Sequence, residues 1–324
     1  MSTYKSVFIT GANGFIGRHL AERFKAQGAV VSGLDIGADA ANSVVAGDVG
    51  VASSWQDALA GCDLVIHTAA VVSMRGDHEK FWRTNVLGTR NVIEAAARHG
   101  AKRFVQFSSV AAFSSVFPDG VSEDHPIHTD DNPYTNTKVA SEQVVLQAHA
   151  AGEVDCTIIR PGDVYGPGSR PWTIEPLGLI KKHQMILPTM GRGIFSPIFI
   201  TNLIDGVVLA AESPAGSGQV FTLSDGVGVT TQDFFGRYAR MLGRKGVPAV
   251  PTSLLKLLAG ASYKLSGVLP LNPELNVGTV EFLDRRGTYS IEKARAVLGF
   301  NPEIGLDEGF AITEKWLRDE GYLG

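Results

Sequence analysis

Along residues 6–161, short apolar runs alternate with longer stretches whose apolar positions recur every three or four residues. The first run, Ser6-Val7-Phe8-Ile9-Thr10, is followed by Phe15, Ile16, Leu20 and Phe24 at helical spacing. That pattern predicts a strand and then an amphipathic helix. Further strands are predicted at 29–35, 43–49, 63–70, 102–109 and 155–161, with helices at 55–59, 81–99 and 134–148. Strands alternating with helices in this way predict an α/β fold, a doubly wound parallel sheet with right-handed crossovers. Beyond Pro161 the regularity loosens. A strand at 196–200 is expected to return to the sheet, then a helix at 203–212 and a strand at 219–223. Residues 246–273 are apolar and carry Pro248, Pro251, Pro270 and Pro273. The final segment, 291–323, reads as helical with a break at 299–305.

Composition adds boundaries to this picture. The chain has 324 residues, enough for one large or two interleaved domains. It is 44% hydrophobic and 19% charged, ordinary for a globular protein. A net charge of −4 gives no basic footprint for nucleic acid. The start, Met1-Ser2-Thr3-Tyr4-Lys5, lacks an apolar signal region, so a cytoplasmic protein is expected. No uninterrupted apolar run is long enough for a membrane span. Cys62 and Cys156 lie in apolar surroundings without ligand spacing; both are expected to be reduced thiols in or near the core, with no metal site.

The chemistry begins at the first strand–helix junction. Gly11, Gly14 and Gly17 stand at every third position around Asn13, Phe15 and Ile16. Gly11 permits the turn, Gly14 admits a phosphate to the backbone, and Gly17 allows close helix packing. The helix N-terminus then offers free N–H groups and a positive dipole end to a pyrophosphate. An ordinary strand–helix turn would look similar, so support is needed downstream. It comes from Asp35, at the end of the second strand, where a carboxylate receives the adenosine ribose hydroxyls of a dinucleotide. Ile36, Gly37 and Ala38 supply no cation for a 2′-phosphate, which favours NAD over NADP. Thr68, Ala69 and Ala70 end the fourth strand with small side chains that leave room for a flat ligand. His67 just before them reads as a hydrogen-bonded structural histidine rather than a catalytic one.

Tyr134 and Lys138 are four apart at a helix start and share one face. A neighbouring ammonium favours the phenolate, and such a Tyr can accept the proton of an alcohol as its hydride departs. An exposed helix pair would show the same spacing. Ser109, at the end of a central strand, is placed to hold the substrate oxygen, while strand alternation turns Ser108 the other way. A serine-hydrolase elbow is excluded: Ser109 is flanked by Ser108 and Val110 and followed by Ala111, without the glycines that Gly-x-Ser-x-Gly needs.

With these residues in view, the chain resembles the extended short-chain dehydrogenase/reductase superfamily over essentially its whole length. The matching pieces are Thr10 to Gly17, Asp35, Gly47-Asp48-Val49, His67 to Ala70, Thr84 to Thr89, Phe107-Ser108-Ser109, Tyr134 to Lys138, and Arg160 to Gly168. The resemblance implies that Tyr134 is the acid/base, that Lys138 orients the ribose and lowers the Tyr pKa, and that Ser109 positions the reacting oxygen. It implies NAD contacts from the glycine turn with Asn13, Phe15 and Ile16, from Asp35, from Asp48 and Val49 at the adenine, and from Thr68 to Ala70. Asn85, Ser108, Tyr134, Lys138 and the segment carrying Pro161, Gly162 and Val164 complete the expected cofactor set. The expected division is a Rossmann part at 1–165 with returning segments at about 195–225, and a substrate part at 166–194 and 226–324. Helices 81–99 and 134–148 are expected to pair in a homodimer.

Two substrate classes compete. A nucleotide sugar needs cations for its diphosphate. Here the third position after Arg160 is the anion Asp163, and Phe195 precedes the returning strand. Arg192 lies nearby, and Arg285 and Arg286 read as a solvated pair. Val247 to Leu271 holds leucines interrupted by Lys256 and Lys264, which suits an apolar pocket cover, a surface contact with a bilayer through 253–271, or core packing. Trp172, His183 and Met185 are further pocket candidates. The expectation is NAD-dependent oxidation of a lipophilic secondary alcohol such as a 3β-hydroxysteroid; the alternative is a nucleotide-sugar 4-epimerase or dehydratase with tightly bound NAD.

Overall fold

The computed structural model describes residues 3–73, 76–130, 132–257 and 277–324. Seven strands form one sheet: β1 (Ser6–Thr10), β2 (Val30–Asp35), β3 (Val44–Ala46), β4 (Leu64–His67), β5 (Arg103–Phe107), β6 (Cys156–Pro161) and a later strand, Val220–Leu223. Their order across the sheet is Val220–Leu223, β6, β5, β4, β1, β2, β3, and every neighbouring pair is parallel. The chain reverses direction across the sheet between β1 and β4, where a crevice opens at the carboxyl ends of the strands.

Side-chain alternation builds a core on each face. Val7, Ile9, Leu64 and Ile66 point to one side, Phe8 and Val65 to the other. The first face is covered by α1 (Phe15–Ala26) and a helix at Ile200–Glu212. The second is covered by a helix over 78–98 and by a helix at Pro133–Ala150. The helix over 78–98 begins as α2 (His78–Phe81), widens into a π-turn at Trp82–Leu87 and continues as α3 (Gly88–Arg98). The helix at Pro133–Ala150 is α4. Cys62 and Cys156 are free and buried in this second core.

One expected strand behaves differently. Residues 197–199 do not return to the main sheet; Pro197–Phe199 pairs in parallel with Asp163–Tyr165 as a separate two-stranded ribbon. Val220–Leu223 takes the edge position beside β6 instead. The reason is local: Gly162 bends the chain out of β6, and a Cβ there would meet the Ser196 carbonyl oxygen at 2.6 Å. After Pro161 the strand therefore leaves the sheet and meets its new partner. Of the remaining helices, Glu175–Lys181 packs on Thr231–Met241, Glu292–Leu298 packs on Val220–Leu223 and the helix at Ile200–Glu212, and Leu306–Asp319 meets the ribbon where Gly309 abuts Tyr165 and Phe199. Of the apolar segment at 253–271, residues 258–271 lie outside the described residues. Among its described positions, Leu255 is buried against Val280, while Leu254 and Leu257 are exposed. No described helix is long and apolar enough to cross a membrane.

Candidate active site

The glycine turn is built around backbone that tolerates no side chains. Gly11 has φ +70°, and a Cβ on it would sit 2.7 Å from Thr68 Oγ1 and 2.9 Å from the Ala69 nitrogen. A Cβ on Gly17 would collide with the Gly11 carbonyl oxygen, so Gly17 packs α1 against the turn itself rather than against β1. Gly14 is the N-cap of α1, with no side-chain cap and no acidic residue in the first turn. The first amides of the helix, at Phe15, Ile16 and Gly17, therefore face outward without an intrahelical acceptor. Asp35 does more than stand at a strand end. Its carboxylate accepts the Asn13 N–H at 2.9 Å and the Ile36 N–H at 2.7 Å, bracing the turn from the neighbouring strand. Asn13 Nδ2 donates to the Gly37 carbonyl at 2.7 Å.

Around this turn lie the other expected cofactor residues. Thr68 Oγ1 donates to the Thr10 carbonyl at 2.7 Å and fixes the end of β4, leaving Ala69 and Ala70 partly open. Asp48 accepts the Gly50 N–H at 2.8 Å and pairs with Arg83 at 3.3 Å, and Val49 is buried beside it. Asn85 is buried and fully engaged: its Oδ1 accepts the Val71 N–H at 2.8 Å and its Nδ2 donates to the Val71 carbonyl and to Thr137 Oγ1. It clasps the loop after β4 to α4. His67 bonds Thr10 through Nδ1 at 2.6 Å and Thr89 through Nε2 at 3.2 Å, as a structural histidine should. Burial pushes its imidazole down to about 3.

Ser109, Tyr134 and Lys138 converge where β5 ends. Ser109 is extended and caps a turn at 110–113, its Oγ accepting the Ala111 N–H at 3.1 Å. Asn132 Oδ1 caps α4 through the Tyr134 N–H at 2.8 Å, with Pro133 in the first turn, which sets Tyr134 at the helix start. The Tyr134 ring packs with Phe81, Ala111 and Val71. Lys138 Nζ lies 5.7 Å from the ring centroid and donates to the Phe107 carbonyl at 2.8 Å. Burial pushes the Tyr134 phenol above its ordinary value, and a hydrogen bond with the Ser109 side chain draws it back in part. Lys138 is itself pushed down to about 8 by burial, with Glu142 opposing.

Beneath these three residues lies a buried cluster that pattern alone did not single out. Glu142 accepts Arg160 Nε at 2.9 Å and Nη2 at 2.7 Å, and the Ser108 hydroxyl at 2.5 Å. Ser108 thus spends its hydroxyl inside the protein. The available signal was the face Tyr134–Lys138–Glu142, three residues at steps of four in a helix whose other inward positions are small or apolar.

The substrate-side candidates are rearranged. Asp163 is buried and paired with buried Arg285 at 2.8 Å, and also accepts the Ser196 N–H at 3.1 Å. Arg285 further donates to Tyr289 and to the Phe282 carbonyl, and stands 3.6 Å from the Phe282 ring centroid. It is neither solvated nor free, and Asp163 is a compensated charge; Arg286 is exposed. Phe195 is fully buried among Trp172, Phe234 and Phe235, so it is core rather than pocket wall. Trp172 joins that aromatic cluster and Met185 is buried, while His183 and Arg192 are exposed. Gly162 and Val164 lie on the bend from Pro161 into the ribbon.

A reversing parallel sheet, a glycine cradle at its crevice and a Ser–Tyr–Lys cluster beside it define an enzyme of the extended short-chain dehydrogenase/reductase type. Residues 7–223 match the NAD dependent epimerase/dehydratase family, and the chain belongs to it. A relative from Stigmatella aurantiaca, 4-hydroxy-2-methyl-3-oxo-4-farnesyl-3,4-dihydroquinoline-1-oxide ketoreductase, is 30% identical over 98% of this chain and 97% of its own. The sterol-4-alpha-carboxylate 3-dehydrogenase, decarboxylating, of Bos taurus is 29% identical over 95% and 91%. Among solved structures, MoeE5 in complex with UDP-glucose and NAD has a TM-score of 0.78 and 25% identity, covering 97% and 99%. NAD is the cofactor of this family, and the side-chain-free cradle and the Asp35 carboxylate fit its pyrophosphate and ribose.

Proposed function

We propose that this enzyme oxidises a lipophilic secondary alcohol, a 3β-hydroxysteroid or a molecule of similar shape, with release of NADH. Asp163–Arg285 is the observation that carries this choice. The pair neutralises Arg285, one of the cations that a diphosphate would need free. The apolar packing of Tyr134 with Phe81, Ala111 and Val71 supports the same choice. So do the farnesyl and sterol in the names of two relatives.

When bound, NAD supplies the hydride acceptor and, in its oxidised form, a positive charge. In this reading the chain does the rest. Gly11, Asn13, Gly14, Phe15, Ile16 and Gly17 hold the pyrophosphate, and Asp35 holds the ribose. Asp48, Val49, Thr68, Ala69, Ala70 and Asn85 shape the adenosine side, and Pro161, Gly162 and Val164 the nicotinamide side. Ser109 Oγ donates to the substrate oxygen. Tyr134 Oη takes the hydroxyl proton, and the Lys138 ammonium keeps that phenolate from being an unpaired buried charge. The cofactor part spans 1–165 with segments at 195–225, and the substrate part spans 166–194 and 226–324. The protein works as a cytoplasmic homodimer paired through α2–α3 and α4.

Nucleotide-sugar epimerisation or dehydration is the second reading, supported by the likeness to MoeE5 crystallised with UDP-glucose. The test is NADH formation on a panel of 3β-hydroxysteroids, beside conversion of UDP-glucose and dTDP-glucose. Steady conversion of a nucleotide sugar, with no NADH from any steroid, overturns the proposal.

A further inference from the structure

Glu142 is 1% exposed, yet it is a carboxylate in the middle of a helix. A buried charge of this kind persists only when it is paired and hydrogen-bonded. Its partners come from separate elements. On its own helix, Lys138 is one turn back and Tyr134 two turns back, all on one face. From β5, the Ser108 hydroxyl donates at 2.5 Å, and the next residue is Ser109. From β6, Arg160 forms a two-point pair through Nε and Nη2, and the next residues are Pro161 and Gly162. Arg160 in turn stacks 4.7 Å from the Phe113 ring centroid. One carboxylate therefore joins the helix bearing Tyr134 and Lys138, the strand end bearing Ser109, and the strand end at Pro161.

We propose that Glu142 is the positioning residue of this site: it is the counter-charge of Lys138 and the tie that fixes Tyr134 and Lys138 against Ser109. The proposal rests on the reading above that Tyr134 and Lys138 carry the proton chemistry.

The charges facing Lys138 can be named element by element. On α4 they are Tyr134 and Glu142. From β4 comes His67, which burial keeps neutral. From β5 come the Phe107 carbonyl and, through Glu142, Ser108. From β6 comes Arg160, also through Glu142. Lys138 and Arg160 against Glu142 leave one positive charge in excess, which the Tyr134 phenolate would balance. Burial alone disfavours the ammonium, and Glu142 is the group that opposes it.

Removing the two partners has opposite consequences. Glu142→Gln deletes the anion and leaves Arg160 uncompensated, so both changes push Lys138 down. Arg160→Gln leaves the anion to Lys138 alone and pushes it up. The double variant, Glu142→Gln with Arg160→Gln, keeps hydrogen-bonding amides at both positions without burying a lone charge; Glu142, one turn away, is the nearer of the two charges, so the lysine still falls, by less than in Glu142→Gln.

The experiment is NMR titration of 13C-lysine side chains in the full chain, with and without NAD, with Lys138→Arg identifying the signal. In ligand-free wild type the Lys138 midpoint is expected at about 8. It should fall by roughly one pH unit in Glu142→Gln, rise in Arg160→Gln and fall by a smaller amount in the double variant. Where a single variant fails to fold, the double variant decides: a midpoint unchanged from wild type overturns the proposal, as does movement of both singles in the same direction. A purely structural tie would lower stability without these opposed shifts. No substrate enters the measurement, so its outcome stays separate from the activity panel. Opposed shifts in an enzyme that oxidises no alcohol would sink the functional reading and leave the charge role intact.

Discussion

Cutting the Asp163–Arg285 pair from its two ends should give two different pH dependences. Both side chains are about 2% exposed, so the charge left behind is buried either way. Asp163→Asn strands a guanidinium that cannot lose its proton at accessible pH. Its bonds to Tyr289 and Phe282 remain, but the charge has no counter-ion. Breaking a buried pair in this way costs about 3–5 kcal/mol, and because the stranded guanidinium stays charged the cost should not grow with pH. Arg285→Met strands a carboxylate, which can neutralise by taking a proton. Burial already pushes Asp163 up, with Arg285 and the Ser196 N–H drawing it back. Without Arg285 the folded-state value rises further above the unfolded value of about 3.9. An acid raised on folding favours the folded state least at high pH. Measured against wild type, the cost of Arg285→Met should therefore be small at low pH and grow by about 1.4 kcal/mol per pH unit once the pH passes the wild-type folded-state value of Asp163. Between about pH 5 and about pH 7 it should rise, by at most ~2.7 kcal/mol. The double variant should return to within ~1 kcal/mol of wild type, since neither charge is left buried without its partner. Urea unfolding followed by tryptophan fluorescence at the two pH values, each variant against wild type, measures all three. Equal, pH-independent losses for the two single variants would refute the reasoning, and so would a loss below ~1 kcal/mol for Asp163→Asn.

Tyr134→Phe should lower kcat about 10²–10⁴-fold while NAD affinity by calorimetry stays near wild type; retained turnover removes Tyr134 from its role. Asp35→Ala should weaken NAD binding far more than NADP binding, and should raise amide exchange at Asn13, whose N–H loses its acceptor. Because burial holds His67 neutral, its contribution to stability is complete above about pH 6.5 and is lost as pH falls toward about 3. Acid unfolding of His67→Gln should accordingly be less steep than that of wild type; an identical acid limb would exclude this source. Trp82 and Leu87 are 40% and 49% exposed on the helix over 78–98, so light scattering should report a dimer that Leu87→Glu weakens. A wild-type monomer would refute the pairing.

The sheet was legible because two periods, two and 3.6, alternate cleanly through residue 161. Asp35 and the glycine turn were legible because backbone geometry admits so few residues there. Pro197–Phe199 was misplaced for the opposite reason. Its apolar run is that of any buried strand, and which partner it meets depends on the bend at Gly162. The site's charges were half legible. Tyr134 and Lys138 announce themselves by spacing on one helix, but Asp163 and Arg285 are 122 positions apart. Sequence shows each of them as a lone charge, and only folding shows that they cancel. The proximity of Tyr134 to a lysine is visible in sequence; the burial that raises its phenol is not.

The π-turn at Trp82–Leu87 gives the helix over 78–98 two independent orientations. One extra residue in a turn rotates everything before it by roughly 100° relative to everything after. Phe81, ahead of the turn, packs on Tyr134, while Val92, Ile93, Ala95 and Ala96, beyond it, pack the sheet core. The side chain packed on Tyr134 can thus be re-aimed without turning the residues that pack the sheet. A one-residue deletion between 82 and 87 would swing Phe81 off the tyrosine and leave α3 in place. The wide turn is a swivel: what faces Tyr134 can change independently of what holds the sheet.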